Sequence, residues 1–157
     1  MEAGRRWYRE HSERDETDPA RIYWRALVER VYKTETGFEG LSEPEKKYFA
    51  VCCLEGEVYN GGFDQFFSNS VGYFQYALAG LEDMGAERAL ELLRRAKQVL
   101  FDFGDVPSDT EVRRARMRKD SSRSRDSRAK ELDELYWKDP DSLADKLEEY
   151  ARAHKLF

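Results

Sequence analysis

Apolar residues recur along this chain at steps of three and four, the spacing that gathers one face of an α-helix. Asp18-Pro19 reads as an N-cap followed by proline at the first helical position. After it, Ala20, Tyr23, Trp24, Leu27 and Val31 form a core-facing stripe that Gly37 stops. Ser42-Glu43-Pro44-Glu45 is a capping box, with Leu41 placed as its hydrophobic staple. The helix it opens runs to about Asn60. Its middle, YFAVCCL, is apolar nearly all round, which predicts a central, buried helix.

Gly61-Gly62 is expected to end that helix, and FDQFFSNS follows as a short aromatic-rich turn or helix. Tyr73 to Met84 predicts another helix, stopped by Gly85 at a left-handed C-terminal position. Ala86 to Phe103 is the clearest amphipathic segment, with Ala89, Leu93, Ala96 and Leu100 on one face. Ser108-x-x-Glu111 is a second capping box. ELDELYW resumes order, and Asp139-Pro140-Asp141 opens a last helix that carries Leu143, Leu147, Tyr150 and His154 on one face. No period-2 strand, hairpin signal or internal repeat is present. The prediction is an all-α fold: a single compact multi-helix domain over 18–157 with a central buried helix, preceded by a charged N-terminal leader at 1–17.

Composition agrees with that picture. At 157 residues the chain is one domain's worth, and 13 % aromatic content supplies large core-forming side chains. No apolar run approaches the ~18 residues of a membrane span, and the first residues have no apolar signal-peptide core. The two cysteines, Cys52 and Cys53, are adjacent and form no disulfide framework, so the simplest reading is a cytoplasmic protein. Charge changes the picture more. The net charge of -5 is unevenly spread: residues 1–110 carry -7, residues 111–130 carry +6 and residues 131–157 carry -4. The basic, Ser/Arg-rich stretch at about 118–128 has no apolar anchor and is expected to be a solvated loop.

Catalytic chemistry is thinly represented. His11 and His154 have no paired-ligand spacing, so no metal site and no cofactor is expected. No phosphate-binding glycine loop and no nucleophile elbow appears. The unusual stretch is residues 57–70, EVYNGGFDQFFSNS, in which Glu57, Asn60, Gln65 and Asn69 alternate with Val58, Tyr59, Phe63, Phe66 and Phe67. If the aromatics enter the core, these polar groups need partners. They either cap helix ends and cross-link a tight turn, or form a small polar pocket floored by aromatics. Glu55 and Glu57 both fall among apolar neighbours, where a carboxylate must be paired or have a raised pKa.

The motif E-V-x-N-G-G-F-x-Q-F-F-x-N-S, followed by a small-residue helix ending in L-x-x-M-G-A, resembles the signature of the bacterial DNA-mimic protein family. The likeness extends through LDELYW to the AHKLF tail and covers most of residues 20–157. The residues that match are Glu57, Asn60, Gly61, Gly62, Phe63, Gln65, Phe66, Phe67, Asn69 and Ser70. The resemblance implies an all-helical, homodimeric protein without catalysis. It also implies an acidic surface that stands in for DNA on the binding face of a transcription factor. It assigns the motif residues no catalytic role.

Two groups of carboxylates could supply such a surface: Asp141, Asp145 and Glu148 opposite the last helix's core face, and Glu82, Asp83, Glu87 and Glu91 earlier. Arg88, Arg94 and Arg95 interrupt the second group. The expected partner is a basic, DNA-binding protein such as a transcription factor, with no direct nucleic acid and no membrane. The alternatives are a small-molecule or enzymatic site on Glu57, Asn60, Gln65 and Asn69, and a toxin-neutralising or defence interaction module.

Overall fold

The computed structural model describes residues 16–157. Among them are seven α-helices, two 3-10 turns and no strand. The helices are α1 (Pro19–Lys33), α2 (Glu43–Asn69), α3 (Phe74–Asp83), α4 (Glu87–Phe101), α5 (Thr110–Lys119), α6 (Arg123–Trp137) and α7 (Leu143–Ala153). All of the expected leader except Glu16 and Thr17 lies outside the described residues, as does His11.

The N-terminal caps form as the sequence predicts. Asp18 accepts the Ala20 N–H at 3.2 Å. Ser42 Oγ accepts the Glu45 N–H at 3.4 Å while Glu45 accepts the Ser42 N–H at 2.8 Å, which closes the capping box. Glu45 also ties α1 to α2, accepting from the Arg30 guanidinium and from the Tyr23 hydroxyl. Burial alone would raise its carboxyl, but Arg30 and the Ser42 donors outweigh that and hold it down at about 2.

α2 is the central helix. Phe49, Val51, Leu54, Val58, Phe63, Phe66 and Phe67 along it are fully buried, and α3 to α7 all pack against it. Glu55 is buried too, and the Tyr136 hydroxyl of α6 donates to it at 3.0 Å. Next to that bond, Trp137 Nε1 donates to the Val58 carbonyl at 2.9 Å. In α4, Ala89, Leu93, Ala96 and Leu100 face the core, as their spacing predicts. Gly85, at φ 64, ends α3, and the Ala86 N–H returns to the Leu81 carbonyl at 2.9 Å.

Four readings are sharpened or corrected. The glycine pair breaks the central helix where expected: Gly61 and Gly62 leave helical geometry. The aromatic-rich segment after them is a second helical stretch that continues α2 across the kink to Asn69. The amides exposed by that break are capped from another helix, because Asp133 Oδ1 of α6 accepts the Phe63 N–H at 2.9 Å. Second, the N-cap of α5 is Asp109, which accepts the Val112 N–H at 2.9 Å, rather than Ser108. Third, the last helix begins at Leu143, three residues after Pro140, with Asp139 accepting the Leu143 N–H at 2.9 Å. His154 lies just past its end and is exposed, with its ring against Tyr150.

The fourth correction is the largest. The basic stretch at 118–128 is not a loop, because only Asp120 to Ser122 separate α5 from α6. Buried arginines stand just before it, at Arg113, and within it, at Arg125. Arg113 is 2 % exposed, and its guanidinium donates to the carbonyls of Phe67, Ser68, Pro107 and Ser108 and to Thr110 Oγ1, at 2.6–3.3 Å. Phe67 and Ser68 are in the last turn of α2, where the unpaired carbonyls form the negative end of the helix dipole. A cation thus does here what a hydrophobic anchor was expected to do.

Candidate functional site

The motif of residues 57–70 folds into one hydrogen-bonded network across the break in α2. Glu57, on the last turn before the glycines, is its hub. Its carboxylate accepts from Gln65 Nε2, from Ser70 Oγ at 3.0 Å and from Asn69 Nδ2 at 3.4 Å. Gln65 Oε1 in turn accepts from Asn60 Nδ2 at 3.2 Å. Arg114 of α5 donates to Asn69 Oδ1 at 3.1 Å. Phe63, Phe66 and Phe67 point into the core beneath. Each polar side chain expected to need a partner has one within the motif, and the network ties the two halves of α2 together.

Asn60 is exposed and makes a single bond here, whereas Glu57 is half-buried and makes three. Replacing Glu57 with Ala is therefore expected to cost about 1–3 kcal/mol, since it strands the buried Ser70 hydroxyl and the Gln65 amide. Replacing Asn60 with Ala should stay within about 0.5 kcal/mol. Urea unfolding of the two variants checks the order, and the reverse order would mean Glu57 is not the hub.

Two residues that reach α2 from other helices, Asp133 at the break and Arg113 at its last turn, escape a motif-based reading. Their signals are weak but present. Arg113 stands four residues before buried Met117, and Asp133 lies between Ala129 and Tyr136 at helical spacing. Burial lifts the Asp133 carboxyl to about 6 against the pull of the Phe63 N–H, with Asp64 and Glu134 adding to the rise. Its folded value lies above the ordinary 3.8. Its contribution to stability is therefore present below that ordinary value and is lost as pH rises through about 6. Asp133→Asn keeps an acceptor for Phe63 and removes the titration. The melting midpoint of the parent minus that of the variant should fall from pH 4 to pH 7. A flat difference would show that Asp133 does not titrate in this range.

The carboxylates expected to form a partner surface are found on neighbouring elements. Glu82 and Asp83 end α3, Glu87 and Glu91 lie on the outer face of α4, and Asp145 and Glu148 on that of α7; all are exposed. Asp141 departs from the expected row. It is partly buried, and its Oδ2 accepts the Ala89 N–H at 2.7 Å, so it caps the start of α4. That bond joins the segment before α7 to α4. The two groups of carboxylates therefore lie on elements that the Asp141 cap links. Burial, with the Asp83 and Glu43 charges adding, pushes the Tyr150 hydroxyl of α7 up to about 12. Asp83 is paired with Lys47 at 2.6 Å and Glu148 with Arg152 at 2.6 Å, while Arg88, Arg94 and Arg95 are exposed on α4.

Next to the motif, Asn69, Phe74, Gln75, Val106 and Thr110 line a cleft of about 360 Å³ with Arg113 at its floor. All five guanidinium N–H groups of that arginine are already bonded to the protein. Among the described residues no group of His, Cys, Asp or Glu could hold a metal ion, and no helix is long and apolar enough to cross a membrane.

No curated protein matches the sequence, and no solved structure does. A family model does: that of the DMP19-like protein matches residues 39–154, from the turn before α2 to the end of α7. That match takes in the broken central helix, its capping aspartate, the buried arginine and the exposed carboxylates, and by it the chain belongs to the DMP19-like protein family.

Proposed function

We propose that this chain is a non-enzymatic binding protein that acts as a DNA mimic, covering the DNA-binding face of a basic protein partner such as a transcription factor. In this reading it works in the cytoplasm as a homodimer. Family membership supports it. The observation that carries it is that Glu82, Asp83, Glu87, Glu91, Asp145 and Glu148 are all exposed, on α3, α4 and α7, with the Asp141 cap linking the last two; in this reading they form one acidic edge. B-DNA carries one negative charge per ~1.7 Å of axis, whereas one helix with a carboxylate per turn offers one per ~5.4 Å. Mimicry therefore needs several helices in concert, and in this reading α3, α4 and α7 supply them. The motif network supports the non-enzymatic part, since its polar groups bond to one another.

Charge-led association is fast and weakens with salt, because exposed charges are screened beyond ~8 Å at physiological ionic strength. The test uses Glu87→Lys, Glu91→Lys and Asp145→Lys together and leaves Asp141 in place as a helix cap. Affinity capture from native lysate at low salt should yield a DNA-binding protein that duplex DNA displaces. The triple variant should associate with it at least about tenfold more slowly at low salt, with a melting midpoint within a few degrees of the parent. Equal association rates across salt would remove this edge as the interface. A captured partner that holds DNA and this chain at once would end the mimic reading.

A further inference from the structure

Among the described residues, the buried side-chain polar atoms left without a hydrogen-bond partner are Nε and Nη1 of Arg125. Arg125 is 8 % exposed and stands in the first turn of α6. Buried donors are almost always satisfied, so two on one guanidinium call for an acceptor. Their setting indicates which kind. Ser122 Oγ takes the Arg125 N–H at 3.1 Å, which leaves the Arg123 and Ser124 amides with no acceptor inside the helix. Helical side chains lean toward the N-terminus, and Arg125 Nε lies 3.5 Å from Asp126 Oδ1, the same oxygen that accepts the Ser121 hydroxyl at 3.2 Å. The unmet guanidinium donors and the unmet amides are thus at one end of one helix, the positive end of its dipole.

Charge favours an anion there. Residues 113–130 hold nine Lys/Arg against Asp120 and Asp126. Asp120 is paired with Arg116. Asp126 is shared between the Ser121 hydroxyl and an ion pair with Arg125 at 3.5 Å that an anion would compete with. Arg118, Lys119 and Arg123 are exposed around the helix start. Asp64, on the second half of α2, also feels the Arg125 charge and opposes an anion. The opposition of Asp64 and Asp126 selects for a ligand with strong, multiple acceptors. Four donors suit a tetrahedral oxyanion better than a two-oxygen carboxylate.

We propose that Arg125 and the amino end of α6 bind a phosphate group, at a site separate from the acidic edge. The site gives this largely acidic protein a second, oppositely charged recognition point for a phosphorylated or phosphate-bearing ligand.

The experiment titrates the full chain with inorganic phosphate and, separately, with O-phosphoserine, with ionic strength held constant by sodium chloride. Calorimetry and thermal melting are read together. Saturable binding and a rise in the melting midpoint beyond that in chloride are expected with one or both probes. The free ion binding better identifies free phosphate as the ligand, and the ester binding better identifies a phosphorylated side chain. Arg125→Met removes the unmet donors, along with the ion pair to Asp126, and should weaken binding by about tenfold or more. Arg123→Pro places proline at the first helical position, after an extended Ser122. It therefore keeps the fold while removing one amide and one cation, and it should weaken binding several-fold. If both probes act no differently from chloride, or if both variants bind as the parent does, the proposal is overturned.

Discussion

Replacing Arg113 with Met is expected to cost about 3–5 kcal/mol and to lower the melting midpoint by on the order of 10 °C. Arg113 is the largest of the fully buried side chains, and its five donors meet four carbonyls and one hydroxyl. Methionine fills much of the volume, so the loss measures the stranded carbonyls rather than a cavity. Two of those carbonyls, from Phe67 and Ser68, close α2, and two, from Pro107 and Ser108, hold the approach to α5. Removing the guanidinium should therefore loosen α5 from α2, and amide exchange should speed up first over 107–119. Arg113→Lys keeps the charge but reaches fewer acceptors and should fall between parent and Met. A Met variant as stable as the parent would mean that the carbonyls find other partners and that the arginine is no anchor.

Arg113 also shows where the sequence was legible and where it was not. Helices whose apolar stripe is continuous, such as Glu87–Phe101, could be read residue by residue, because burial follows period there. Caps built from one local segment, such as Ser42 with Glu45, were equally plain. The stretch at about 118–128 reads as a loop because the inward positions in and just before it are Arg113, Met117 and Arg125, and a composition argument counts arginine as solvent-facing. What satisfies Arg113 lies 45 or 46 residues away at the end of α2 as well as next to it in sequence. A partner at that distance leaves no local pattern.

The candidate site divides along the same line. The motif was visible as a motif, and its Glu57–Gln65–Asn69–Ser70 bonds are short in sequence, so an internal network was one of the two readings open from residues alone. Asp141 was assigned to an acidic row by helical angle. The structure gives it to the start of α4, 52 residues earlier. That is a cap donated from another segment, and a helical wheel holds no information about it.

Gly62→Ala is the second change expected to be severe, at about 2–4 kcal/mol, and its cost has two separable sources. Gly62 sits at φ 77 and ψ -179, a region that residues with a Cβ occupy only under strain of about 1–3 kcal/mol. An added Cβ would also stand 2.2 Å from Asp133 Oδ2 and 2.7 Å from its Cγ, so the carboxylate must move away from the Phe63 N–H that it caps. Losing that cap adds about 1 kcal/mol. A double-mutant cycle with Asp133→Ala divides the two. The aspartate change alone should cost about the cap. In its background Gly62→Ala should cost less than it does in the parent, because only the backbone strain remains. Gly61→Ala is the control. Its Cβ would meet the end of the flexible Gln65 side chain, at φ -151, so Gln65 can yield and the cost should stay near 1 kcal/mol. Additive costs in the cycle would mean that Asp133 does not press on the break. The cross-helix cap would then not be what sets the course of α2 between its two halves.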